Sequence, residues 1–300
     1  MKDHHKKKFF VFLIISVIVT SLIVIGCNGE EEPGPSEDGM PDEEIMPGEE
    51  GTPYEEVVAT VNGEEITSEE FVEALEQEKM QYEMQGMDLD SPEMEEELHE
   101  IEQQVLNNYF IYPLLLEQKA EEEGITVSDE EIEETYQEYV MYFGGEEELE
   151  EQMEAANISR GELNEEIVRG ISLQKYQTQY VGKYLEGHPD EVIREEELEL
   201  STEEVEKSYL GIRSQYDQLK AELEAGEPKT SAEQVKMTLE QMEEQYGEIL
   251  EADDFEEVRT QLEEMMRTEK ASQMKQEQEQ SIIMAHIEEL EEKSDIEINI

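Results

Sequence analysis

The amino-acid sequence predicts a mainly α-helical protein with one small β-sheet. Helix-start signals of the form Ser/Thr-x-x-Glu recur at Thr67–Glu70, Ser128–Glu131, Ser159–Glu162 and Ser201–Glu204, each before an apolar pattern of helical spacing. Strand signals stand at the two ends of the folded sequence, Val57–Ile66 and Asp295–Ile300. Two ends that each carry strand character need partners, so the expected fold is a multi-helix body whose N-terminal hairpin is joined by the C-terminal strand.

The chain opens on Met1-Lys2-Asp3-His4-His5-Lys6-Lys7-Lys8, a basic flank, followed by an apolar run from Phe9 to Ile25 broken only by Ser16, Thr20 and Ser21. That is the layout of an export signal. It ends in Val24-Ile25-Gly26-Cys27, similar to the lipobox of bacterial lipoproteins, with Val24 where Leu is usual. An uncleaved membrane helix is the competing reading, since the run lies near the lower limit for spanning a bilayer, about 18 residues. The Gly-Cys ending favours cleavage after residue 26 and lipidation of Cys27, the single cysteine of the chain. The expected location is therefore extracytoplasmic, on a membrane, held by lipid at Cys27.

Residues 27–54 are rich in Gly, Pro, Glu and Asp and read as an acidic tether without a core of its own. The folded part then starts with Val57-Val58-Ala59-Thr60-Val61, and Asn62-Gly63 before Glu64-Glu65-Ile66 marks a two-residue hairpin turn. Phe71, Val72 and Leu75 begin a helix after Thr67. One apolar stripe follows through Met94, Leu98, Ile101, Val105 and Tyr109, and another through Ile167, Ile171, Leu173, Tyr176 and Tyr180. Pro113 is expected to kink or break the helix that contains Tyr109–Leu116. A further helical region spans Ala232 to about Leu290. The expected segments are a helical body over 55–208, a helical connection over 209–254, and a closing helix and strand over 255–300.

Acidic residues outnumber basic ones by 83 to 21, for a net charge of −62. Four Lys and one Asp in the leader make the remainder more acidic still, −65. Such a surface repels nucleic acid and anionic lipid, which excludes DNA or RNA as a partner. Self-repulsion of this size is tolerated where salt shortens the screening length to roughly 3 Å near 1 M, pointing to a salt-rich or alkaline habitat. No metal is expected. Asp88-Leu89-Asp90 could open a calcium loop, but the sixth and twelfth positions hold Glu93 and His99 instead of Gly and Glu. The histidines show no zinc spacing, and no phosphate-binding Gly-x-x-x-x-Gly-Lys loop occurs, so no cofactor or ATP cycle is expected.

The stretch Ala59-Thr60-Val61-Asn62-Gly63-Glu64-Glu65-Ile66-Thr67-Ser68-Glu69-Glu70-Phe71 resembles the opening of the N-terminal chaperone domain of SurA, PrsA and related exported foldases. Gly124-Ile125-Thr126-Val127-Ser128-Asp129-Glu130-Glu131-Ile132 resembles that family's next linker and helix cap, and Ile287–Leu290 with the final strand resembles its closing segment. The resemblance implies an ATP-independent holdase or foldase lipoprotein that binds unfolded or newly secreted polypeptides. The family places a parvulin-type prolyl isomerase domain between these parts, of ordinary domain size. Here the Glu- and Gln-rich interval from Tyr209 to Asp254 has no room for one, so isomerase activity is not carried over and no catalytic residues are assigned. A divergent prolyl isomerase and a structural cell-envelope lipoprotein are the alternatives.

Client contact is expected to be passive, through apolar side chains left exposed between helices. Fifteen Met with no Trp suit adaptable contacts. The candidate residues are Met80, Tyr82, Met84 and Met87, with Tyr109, Phe110, Tyr112 and Leu115. The competing reading of each is ordinary core, because apolar stripes at helical spacing usually face inward.

Overall fold

A computed structural model of the chain describes residues 54–84, 86–156, 158–225 and 231–300. The leader, Cys27 and the tether up to residue 53 lie outside these. β1 (Val57–Val61) and β2 (Glu64–Thr67) form the hairpin, with Val61 paired to Glu64 across Asn62-Gly63. Both turn residues have positive φ, 53° and 89°, the conformation that makes Asn-Gly the preferred pair in this turn. A register shift between Val57 and Ala59 places Val58 and Ala59 consecutively in the core, both fully buried.

β3 (Ile296–Ile298) pairs antiparallel with β1, giving the sheet order β2-β1-β3. The two ends of the folded chain thus meet in one sheet, as the sequence predicts, around the helices α1 (Ser68–Met84), α2 (Glu95–Leu106), α3 (Tyr112–Glu122), α4 (Asp129–Tyr142), α5 (Glu146–Ala155) and α6 (Arg160–Gly187). After them come α7 (Thr202–Ala225), α8 (Ala232–Glu251) and α9 (Phe255–Glu291). The four expected capping boxes are all formed, and a fifth occurs at Ser231–Gln234.

Pro113 does not break its helix. Between α2 and α3 the chain stays helical through a π segment, Asn107–Ile111, in which Tyr112 N–H reaches back to the Asn107 carbonyl. The wider ring absorbs one extra residue. Its effect on packing is direct: Val105 and Leu106 before it, and Ile111, Leu115 and Leu116 after it, all reach the same core. The region from Ala232 onward is likewise not one helix. Ala252 turns extended (φ −63°, ψ 138°), and Asp254 Oδ1 then accepts the Glu256 and Glu257 N–H groups, a fresh N-cap.

Two compact units result. One comprises the described residues up to Gly187 together with Glu279–Ile300; the other is His188–Gln278. The first holds a main core in which the sheet and α1 to α3 bury Phe71, Leu106, Ile111 and Tyr176, and a second cluster around Tyr139, Leu149, Leu163 and Ile167. In the other unit, α7 carries Val205, Tyr209, Ile212, Tyr216, Leu219 and Leu223, and α8 carries Val235, Leu239, Met242, Tyr246 and Ile249. Alternating steps of four and three residues are the coiled-coil repeat, which in α8 is kinked at Tyr246 (φ −120°, ψ 17°). Tyr216 Oη donates to Glu243 at 2.5 Å and Arg213 to the Ala252 carbonyl at 2.6 Å, so the pair runs antiparallel.

Candidate functional site

The first of the candidate groups stands on α1. Its inward face carries Phe71, Ala74 and Leu75, which are buried, and Tyr82, which packs against the main core. At 100° per residue, Met80 and Met84 fall on the opposite side of this helix. They are 54 % and 77 % exposed.

The helix is closed by a Schellman turn. Gly86, at φ 83°, donates its N–H to the Glu83 carbonyl at 2.8 Å, and Met87 donates to the Tyr82 carbonyl at 3.0 Å. That returns Met87 toward the Tyr82 side, leaving it 36 % exposed, before Leu89 re-enters the core. Lys79, the one cation of α1, is held by Asp90 at 2.6 Å. The exposed methionines therefore sit in a surface of apolar and anionic character.

The second group occupies the π segment and the start of α3. Tyr109, Phe110 and Tyr112 are half-buried against the main core, and Leu115 is 2 % exposed within it. Burial pushes both the Tyr109 and Tyr112 hydroxyls above their ordinary pKa, with Glu78 of α1 adding to the first and Glu291 and Glu288 of α9 to the second. Tyr109 thus faces α1 whereas Tyr112 faces the end of α9. Met80, Met84 and Met87 are the candidates open to solvent; the aromatic ones offer edges, and Leu115 is a core side chain.

A cleft of about 620 Å³ lies beside the hairpin turn. Leu115 and Leu290 are its apolar members, among Asn62, Glu64, Lys119 and Lys293. A second, of about 390 Å³, has Ala120, Ile125 and Val168 set among Glu117, Glu121 and Arg169. The first is too polar to serve as an apolar groove, the second has a mainly apolar lining, and neither includes the methionines. Where the tether joins the body, Tyr54 donates to Glu102 of α2 and stacks edge-on against Phe71 at 5.1 Å.

Two features were not read from the sequence. Glu166, 6 % exposed, receives Arg169 through both carboxylate oxygens at 3.0 Å, and Arg169 also reaches Glu117 at 3.1 Å. His286 is buried between Tyr176 and Tyr180. The available signal for the latter was a histidine on the apolar stripe Ile283–Ile287–Leu290 of an otherwise Glu- and Gln-rich helix.

Among the described residues no group of three or more His, Cys, Asp or Glu side chains is placed to hold a metal ion, and no helix is long and apolar enough to cross a membrane. In comparison with known proteins, a family model described as the SurA-like N-terminal domain matches residues 1–177. No curated protein and no solved structure matches the chain.

Proposed function

Because this chain belongs to the family of SurA-like N-terminal domains, we propose that it is an ATP-independent chaperone that holds unfolded or newly exported polypeptides. The observation that carries this reading is the outward methionine pair of α1. Met80 and Met84 lie on the outer side of a helix whose inner face is filled by Phe71, Ala74 and Leu75, so the core does not account for them. Thioether side chains repack around varied apolar partners. Met87 and the edges of Tyr109, Phe110 and Tyr112 extend the set.

The export leader and the Cys27 lipobox support placing the protein outside the cytoplasm on a lipid anchor, and the acidic tether would hold its body away from an anionic bilayer. Two or more acyl chains are needed, since one gives marginal attachment. In this reading the helical connection over 209–254 takes the place where the foldases it resembles carry a parvulin domain, so isomerase activity is not carried over. The described residues of that connection contain no strand.

Light scattering during aggregation of a chemically unfolded client tests the proposal. Suppression at near-stoichiometric amounts is expected, and Met80→Ser with Met84→Ser should weaken it while leaving the fold intact. Absence of suppression, combined with stable self-assembly, favours the structural envelope role instead.

A further inference from the structure

His286 lies on the last turns of α9, 6 % exposed. Its Nε2 is 2.6 Å from the Tyr176 hydroxyl, and its ring stacks on Tyr180 with centroids 3.7 Å apart and planes 18° from parallel. Its Nδ1 is buried and has no hydrogen-bond partner. A neutral imidazole tolerates this, because it needs one donor and one acceptor and Tyr176 satisfies Nε2. A protonated ring carries two donors. The second would point from Nδ1 toward Glu289 Oε2, which stands 3.9 Å away, beyond hydrogen-bond range, on a carboxylate whose other oxygen, Oε1, accepts from Lys293 at 2.7 Å.

The charges around the ring come from every neighbouring element. Glu289 and Lys293 lie on its own side, Lys119 on α3, and Glu123 just after α3; Tyr176 and Tyr180 of α6 contribute neutral hydroxyls. Two carboxylates and two ammonium groups oppose one another. Burial is left as the deciding influence, and it holds the His286 pKa below the ordinary 6.5.

What the ring fastens is the closure of the unit. Ile283, Ile287 and Leu290 share its helix and pack on the main core, and the chain then runs directly into β3, a strand of three residues with one partner. We infer that His286 is an acid-responsive latch: proton uptake by its imidazole releases the C-terminal end of α9 and β3 from the rest of the unit, baring Ile283, Ile287 and Leu290. The undocked form takes the proton with an ordinary affinity and the docked form with a weaker one. Docking is therefore at full strength above pH 6.5 and weakens as pH falls below it. This direction is opposite to that of the whole-molecule charge, since acid relieves the self-repulsion of a −62 chain. His99 and His188 are exposed.

Hydrogen exchange of the full chain, read by mass spectrometry and corrected for intrinsic rate, tests this without any client. Lowering the pH from about 7.5 to about 5.5 should cost the 279–300 peptides up to about tenfold in protection, the limit for a docked imidazole kept neutral one unit below its free pKa. Peptides of α7 and α8 should change little. His286→Phe retains a ring to stack on Tyr180 and removes the titration, so its ratio between the two pH values should be flat whatever its baseline stability. No pH effect in the native chain, or an equal one in His286→Phe, overturns the latch. If that variant does not fold, the imidazole titration by NMR decides in the native chain: a His286 midpoint below 6.5 is expected, and one at or above it overturns the inference.

Discussion

Replacing Asn62 with Ala is expected to unfasten β3. The Asn62 side chain donates through Nδ2 to Gln118 at 2.7 Å and Ser294 at 3.2 Å, and its Oδ1 accepts the Asp295 N–H at 2.9 Å. One exposed side chain thus ties the hairpin turn to α3 and to the segment that leads into β3. At the low end for exposed hydrogen bonds, about 0.5 kcal/mol each, their loss costs about 1.5 kcal/mol. Alanine at φ 53° adds about 1 kcal/mol, because its Cβ crowds the backbone in the left-handed region. The total is about 2.5 kcal/mol. If β3 opens locally, that corresponds to about a 70-fold loss of amide protection at Ile296–Ile298; if the unit melts as a whole, Tm falls by roughly 5 to 10 °C. Hydrogen exchange and thermal denaturation together cover both cases. Asn62→Asp tolerates the positive φ and keeps the acceptor for Asp295, so it should cost less, about 1 kcal/mol. A change below about 0.5 kcal/mol in Asn62→Ala with unaltered exchange at β3 would refute the fastening role.

Other outcomes follow from the same geometry. Leu115→Ala should cost about 2 to 5 kcal/mol in urea denaturation because the side chain is 2 % exposed in the main core, whereas Met84→Ser should stay within about 0.5 kcal/mol of the native chain. Glu166→Ala should cost about 1.5 to 3 kcal/mol by removing both Arg169 hydrogen bonds from a buried carboxylate, with Arg169 then served by Glu117 alone. Hydrogen bonds from Lys175 and Ser128 lower the Glu131 pKa to about 2, so the cap of α4 should be intact above the ordinary carboxylate range and be lost as pH falls from about 4.5 toward 2; carboxyl NMR of Glu131 reads it. Cys27→Ser should release the protein from membranes or block its maturation, as fractionation would show, and a membrane-bound form with unchanged mass would count against lipid attachment.

Local rules explain why much of the fold was legible. Each capping box at Thr67, Ser128, Ser159 and Ser201 is completed by a residue three positions away, and the Asn62-Gly63 turn by its own two φ angles, so neither needs a distant partner. The meeting of β1 and β3 was legible because an isolated strand must find another. Pro113 misled because its cost depends on the hydrogen bond it displaces, and a π segment removes that cost while restoring the core face on both sides. The turn at Ala252 falls beside the expected 254/255 boundary, although Asp254-x-x-Glu257 was not read as a cap. For the candidate site, periodicity put Met80 and Met84 on one face and could not say which way that face pointed; the burial of Phe71, Leu75 and Tyr82 opposite them decided it.

The sequence by itself determined the helical class, the helix starts, the hairpin turn and the acidic surface, since these depend on residues within a few positions of one another or on composition alone. Tertiary structure alone decided which apolar side chains remain exposed, that Asn62 reaches Gln118, Ser294 and Asp295, and that His286 is enclosed by Tyr176 and Tyr180. Asn62 and Asp295 are 233 residues apart, and His286 and Tyr176 are 110 apart. Contacts at such separations are set by how several helices pack at once, a property that no local pattern carries.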